Sequence, residues 1–346
     1  TMLPTQHGYK MPAEWAPHDA TWISWPHKVE TWPDKFEPVP AVFARMVRAL
    51  AEGETVNLCV SGPEMEREAR KVLKAERADA STVQFHHWPT NDVWIRDYGP
   101  IFVQRQAGAN RTMVTKWLYN SWGGKYPPFD LDNRIPFRAA ELCNMPVAEA
   151  GIVLEGGSID VNGEGLLLTT EACLLNKNRN PHLTREQIEQ YLKDFLGVHR
   201  VIWLGDGIEG DDTDGHVDDL TRFVGKERIV TIVEDDEKDV NHKALRENLE
   251  RLHALRTDSG GKFEIIELPM PEPLFFDDRR LPASYANFYI GNAGVLVPTY
   301  RSGKKDEAAV SILKDCFPDR PVIGIDSTDL VWGLGSFHCT TQQQPR

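Results

Sequence analysis

A thiol, an imidazole and several carboxylates stand out as groups able to do covalent chemistry together. Cys339 lies in "GSFHCTTQQQP", residues 335–345 of a 346-residue chain. A cysteine attacks as its thiolate, and its reference pKa of roughly 8.5 must be met by a nearby cation or base. The adjacent His338 is not the expected partner, because neighbouring side chains in an extended segment point to opposite faces. His216 in "TDGHVDD" is the better candidate, since the acids around it can fix its ring and raise its proton affinity. Read separately, a late cysteine is a buried structural thiol and a histidine in an acidic turn is merely solvated. Their conjunction favours chemistry.

The carboxylates fall in three further motifs. On a strand, His216 and Asp218 share a face and Asp219 points away. In "NDVWIRDYGP" (91–100), extended backbone puts Asp92, Trp94 and Arg96 on one side and Asp97 on the other, free to face a site. The plain alternative is that Trp94 packs in the core and Arg96 pairs with an acid. "LEGGSID" (154–160) sets Glu155 before two glycines, where backbone can turn sharply or approach a ligand. It matches no phosphate-binding loop. "DDTDGHVDD" (211–219) lacks the glycine and glutamate spacing of a calcium loop, so no metal is expected. Carboxylates gathered around one cavity repel unless a cation lies between them, and a planar guanidinium matches paired carboxylates through bidentate hydrogen bonds. A thiolate beside it is placed to attack the guanidinium carbon, with the histidine protonating the departing amine.

These residues are far apart in sequence, so repeated elements must bring them together. "RDYGPIFVQRQAGANRTMVTKWL", "EGGSIDVNGEGLLLTT", "GHVDDLTRFVGKERIVTIV" and "NFYIGNAGVLVPTY" each read as a polar group, a short β-run, a turn and a second β-run. Asp97, Glu155, His216 and Asn287 head these hairpins at a period of roughly 60 residues. Helices are expected at about 39–52, 62–76, 184–196, 239–257 and 305–316. An N-terminal unit around "DATWISWPH" and "TVNLCVS" makes a fifth ββαβ-like unit, and no linker divides the chain, so a single domain over residues 1–346 is expected.

Composition bounds the partners. The formal charge of −13 argues against nucleic acid and anionic membrane and suits a small cation. No apolar run reaches the roughly 18 residues needed to span a bilayer. Five cysteines without a C-x-x-C pair make a poor disulfide or zinc framework, so a soluble, unexported protein of the reducing cytoplasm is expected.

The motifs "RDYGP", "LEGGSID", "TTEACLLNKNRNPHLTREQIEQYLKDFLGVHRVIWL", "TDGHVDD", "NFYIGNAGVLVPTY" and "GSFHCTTQQQP", with "MPAEWAPHDATWISWP", resemble the agmatine deiminase and bacterial peptidylarginine deiminase family over nearly the whole chain. The resemblance implies an α/β fold, a five-bladed α/β propeller of ββαβ units with pseudo-fivefold symmetry (the pentein, or guanidino-group-modifying, fold). It implies Cys339 as nucleophile and His216 as general acid/base. Asp97 and Asp218 match the carboxylates that grip the guanidinium, Glu155 an acid that binds substrate or orients the histidine, and Trp94 and Trp122 aromatic positions near the substrate. No cofactor or metal is implied, the expected partner is a small cationic guanidino compound, and a homo-oligomer is left open. Tyr98, Asp214, Asp219, Leu334, Ser336 and Phe337 depart from the usual agmatine deiminase motifs, and Asp214 and Asp219 add negative charge that favours an amine tail. The expected reaction is hydrolysis of agmatine to N-carbamoylputrescine and ammonia. Deimination of free or peptidyl arginine, amidine transfer, metal-dependent hydrolysis and non-catalytic binding of a cationic amine are the alternatives.

Overall fold

A computed structural model describes residues 2–346. Five small sheets share one topology, in which a strand pairs antiparallel with the next and that strand pairs parallel with a third across a helix. In the second unit, Ile101–Gln104 runs antiparallel to Thr112–Leu118, which is parallel to Val147–Val153. The third unit repeats this with Asp160–Val161, Leu166–Thr170 and Arg200–Leu204. The fourth uses Thr221–Gly225, Arg228–Val233 and Glu264–Pro269, and the fifth Tyr289–Ile290, Val295–Thr299 and Val322–Asp326. In the first unit the antiparallel strand comes from the far end of the chain. Gln342–Pro345 pairs with His18–Ser24, which is parallel to Thr55–Val60 and through it to Val83–His87.

The connecting helices follow from local sequence. Arg185–Leu196 opens on Thr184, whose hydroxyl and the Gln187 side chain cap each other's backbone amides, and it buries Ile188, Leu192, Phe195 and Leu196 on one face. Val39–Ala51, Pro63–Ala75, His242–Ala254 and Lys304–Cys316 likewise lie where periodicity places them. The helix Ile135–Leu142 between the second and third strands of the second unit is additional. A two-stranded hairpin, Phe275–Phe276 with Arg279–Arg280, stands outside the five sheets.

Hydrophobic clusters join consecutive units. Val103, Met113, Leu167 and Leu192 link the second and third, and Leu168, Ile202, Phe223 and Leu252 the third and fourth. Ile232, Leu268, Val297 and Leu313 link the fourth and fifth. Trp22, Val56, Phe102, Tyr289 and Phe337 bring the first unit against both the second and the fifth. With apolar burial worth about 25 cal/mol per Å², these shared clusters tie the orientation of each sheet to its neighbours.

Candidate active site

The site side chains singled out in the sequence sit just ahead of the first strand of a unit, except Trp122, which follows Thr112–Leu118. Asp97 precedes Ile101–Gln104, Glu155 precedes Asp160–Val161, and His216 and Asp218 precede Thr221–Gly225. Asn287 precedes Tyr289–Ile290, and Cys339 precedes Gln342–Pro345. All six are buried.

Asp97 is fixed from two sides. Its Oδ1 accepts from the Gly157 amide at 3.0 Å and its Oδ2 from Trp122 Nε1 at 2.9 Å. Trp122 reaches this position from a left-handed stretch, with φ of 56° at Ser121 and 55° at Trp122, a sparsely populated conformation for residues with side chains. The His216 ring lies between acids, with Nδ1 3.6 Å from Asp97 Oδ1 and Nε2 3.5 Å from Glu155 Oε1. Glu155 is itself held by Arg179, whose Nε and Nη2 lie 2.8 and 2.5 Å from the same oxygen. Asp218 Oδ2 lies 2.7 Å from His338 Nδ1 and 4.0 Å from Cys339 Sγ. Asn287 fixes the cysteine, its Oδ1 accepting from the backbone amides of His338 and Cys339 and its Nδ2 lying 3.2 Å from the sulfur.

Gly157 is where these groups converge. A Cβ there would lie 2.6 Å from His216 Nδ1, 2.7 Å from Asp97 Oδ1 and 2.9 Å from Asp218 Oδ2, so three elements approach one backbone position that only glycine leaves open. His216 Nε2, Glu155 Oε2 and Asp218 Oδ1 are buried without a protein hydrogen-bond partner, an arrangement found where groups serve a ligand rather than the fold.

Electrostatics divides the acids. Burial pushes the Asp97 carboxyl up to about 6, with the His216 charge opposing and those of Asp218 and Glu155 adding to it. Burial also acts to raise Glu155, but Arg179 and His216 outweigh it and hold that carboxyl down to about 2. Asp218 stays below the usual carboxylate range for the same kind of reason, burial being outweighed by His338. Burial works against a charged His216, yet Asp97, Cys173 and Glu155 hold the imidazole well above the ordinary histidine range. The Cys339 thiol is pushed far up, first by burial and then by the charges of Asp218, Asp219 and Asp97. These shifts favour a neutral thiol and a charged imidazole, with Glu155 and Asp218 as the acids held ionised.

A cavity of about 400 Å³ reaches Cys339 from the surface. Asp97, Trp94 and Trp122 line its inner part, and Tyr126, Phe276 and Trp332 are among its further walls. Gly335 keeps this wall thin, since a Cβ there would lie 2.4 Å from the Trp94 ring. Glu155, His216 and Asp218 stand behind the lining, against Gly157.

Five expectations change. Trp94 and Asp97 do not alternate on a strand: Ile95–Tyr98 is a helical turn, which puts Asp92, Trp94 and Asp97 together on the cavity and turns Arg96 away, to the His338 carbonyl and Gln343. His216 and Asp218 are likewise joined by the 3-10 turn Val217–Asp219 rather than by a strand. That turn brings Asp219 inward, where it accepts from Asn287 at 2.9 Å and burial lifts its carboxyl well above the usual range. Asp214 is engaged by Arg179 at 2.6 Å and Lys125 at 2.9 Å. Its charge is spent inside the protein, and neither acid offers an amine tail an unpaired partner. Cys339, finally, lies in a tight turn before the last strand, with the Thr340 amide donating to the Ser336 carbonyl.

Three participants were not picked out as site residues. Asn287 heads the fifth unit, and that position was its signal. Arg179 lies in "NKNRNP", which carries no mark of chemistry outside a family resemblance. His338 was set aside as the thiol's partner, and its ring does turn from the cavity, but onto Asp218 and Glu14.

Residues 10–345 match the model of the Porphyromonas-type peptidyl-arginine deiminase family. The agmatine deiminase of Medicago truncatula is 38% identical over 99% of this chain and 98% of its own. The solved structure of the agmatine deiminase of Enterococcus faecalis has a TM-score of 0.92 at 31% identity, covering 100% of this chain and 98% of that one. A cysteine-to-serine variant of the C. jejuni agmatine deiminase with substrate bound has a TM-score of 0.87 at 34% identity, covering 98% and 96%. The chain belongs to the Porphyromonas-type peptidyl-arginine deiminase family.

Proposed function

We propose that the protein hydrolyses agmatine to N-carbamoylputrescine and ammonia through an amidino-thioether on Cys339. The observation that carries this reading is the convergence of Asp97, Asp218 and His216 on Gly157, at the inner end of a cavity that Cys339 lines. The agmatine deiminases among the relatives, which match it end to end, support agmatine as the guanidine.

The guanidinium enters between Asp97 and Asp218 and its charge offsets theirs, lowering the cost of a thiolate at Cys339. The thiol gives up its proton to solvent as the cation enters, and sulfur bonds to the guanidinium carbon. The tetrahedral adduct loses ammonia as His216 protonates the departing nitrogen, leaving the amidino group on sulfur. His216, now neutral, takes a proton from water, whose oxygen adds to the same carbon. Cleavage of the C–S bond releases the substituted urea, and the hydroxyl proton of the adduct passes to the departing thiolate, restoring the resting thiol. Glu155, itself tied to Arg179, orients His216. Trp94 and Trp122 wall the guanidinium, and Trp122 also holds Asp97 in place.

The five units are further read as blades of a propeller around a pseudo-fivefold axis, forming one domain. The closed succession of shared hydrophobic clusters and the common position of the site residues ahead of each first strand support this. The cytoplasm is the proposed compartment, in keeping with five free thiols. Intact-mass analysis during turnover of agmatine should find one amidino adduct, mapped to Cys339. An adduct on another residue, or agmatine turnover at full rate by Cys339→Ser, would overturn the assignment.

A further inference from the structure

His338 is adjacent to the proposed nucleophile, yet its ring faces away from the cavity. Nδ1 lies 2.7 Å from Asp218 Oδ2 and Nε2 lies 2.7 Å from Glu14 Oε2, and all three residues are buried. The ring therefore bridges two buried carboxylates, with one short contact at each nitrogen. Burial alone would raise both acids, but Arg222 with His338 prevails at Glu14, and His338 with His216 at Asp218.

Behind Glu14 the chain of charges continues. Arg222 Nη2 lies 3.0 Å from Glu14 Oε2 and its Nε 3.0 Å from Asp160 Oδ1. Arg96 adds a second cation 3.8 Å from Glu14 and donates to the His338 carbonyl at 3.2 Å. On the cavity side, His216, Asp97, Asp219 and Cys339 are the remaining titratable groups near Asp218. Besides His338, only the Cys339 thiol, 4.0 Å away, offers Asp218 Oδ2 a donor among the described residues, and the second oxygen has no protein partner.

We infer that His338 is a positioning residue for the deimination: braced by Glu14 at one ring nitrogen, it holds the Asp218 carboxylate aimed at the guanidinium with the other. Its consequence for rate rests on the deiminase reading, whereas the bridge between the two carboxylates does not. The Arg222–Asp160 pair then serves to keep Glu14 fixed from the opposite side of the fold.

His338→Asn separates this role from simple packing. Agmatine kcat/KM should fall roughly tenfold to a hundredfold, the range expected when a carboxylate loses a charge-assisted donor. The loss should be dominated by a higher KM, because Asp218 is then no longer held toward the guanidinium. Combined with Asp218→Asn, the two losses should not add. A variant that melts lower but keeps the wild-type KM would overturn the proposal. If His338→Asn does not fold, 15N NMR of histidine side chains in the wild-type chain decides. The His338 ring should show a hydrogen bond at each nitrogen, and a ring with one nitrogen free of a hydrogen bond would overturn it. Should the wild-type chain leave agmatine untouched, the functional reading fails while the NMR result still settles His338.

Discussion

Asp97 lines the cavity, and burial moves its ionisation toward neutral pH. Burial lifts it to about 6, while Glu155 and Asp218 remain below the usual range. Its charged form is required to receive a guanidinium, so activity should be present above that value and fall as pH drops through it. The kcat/KM profile reports the free enzyme and should therefore show an acid limb near 6. Asp97→Asn should remove that limb and lower kcat/KM by roughly a hundredfold or more, since a desolvated charge partner is lost. A profile whose acid limb survives in Asp97→Asn would assign the limb to another group. At this scale the sequence was informative where residue type carries the meaning: Cys339, His216, Asp97, Asp218 and Glu155 are all brought to the site. It was uninformative where direction carries the meaning. Asp219 was judged by strand alternation and lies in a turn that aims it inward, while His338, rightly turned from the thiol, bridges Asp218 and Glu14 in a way alternation could not foresee.

The turns ahead of the first strands do the positioning. Each is short and tied to backbone: Asp211 accepts from the amides of Thr213, Gly215 and His216, and Asn287 accepts from those of His338 and Cys339. "DDTDGHVDD" thus spends Asp211 on its own backbone rather than on a ligand, a use of Asp that is common in turns. The E-G-G turn has the tightest tolerance. Gly157→Ala would drive a methyl group against His216, Asp97 and Asp218 at once, all within 3.0 Å. Activity should fall by tenfold or more, with a stability cost of about 1–3 kcal/mol from overpacking. Steady-state kinetics with a thermal melt checks both, and a variant with wild-type kinetics would mean that the three groups can part without consequence. Helices and strands around these turns were legible because periodicity reports burial. The turns were not, because a 3-10 turn of acids and a strand end read alike from residue types. The helix Ile135–Leu142 escaped notice for a related reason: it follows a proline-containing loop and is only two turns long.

The whole molecule turns a repeat into a site. A period of roughly 60 residues was visible in the hairpins, and four of the five first strands begin at 101, 160, 221 and 289. The fifth is displaced to the C-terminus, where Gln342–Pro345 pairs with His18–Ser24 and is locked by Gln344 accepting from Trp22 and Gln343 from Arg96. This closure explains why the proposed nucleophile comes so late in the chain: Cys339 occupies, in the first unit, the place that Asp97, Glu155, His216 and Asn287 hold in the others. Long-range strand pairing of this kind leaves no local signal in the sequence, and the first unit was expected from "DATWISWPH" and "TVNLCVS" without its C-terminal strand. The most direct measurement is ammonia release by the purified protein given agmatine, arginine and a peptidylarginine in parallel, with Cys339→Ser as control. Release from agmatine, lost in the control, is the expected result. Preference for arginine or the peptide would contradict the proposed substrate, and release that persists in Cys339→Ser would contradict the thioether chemistry itself.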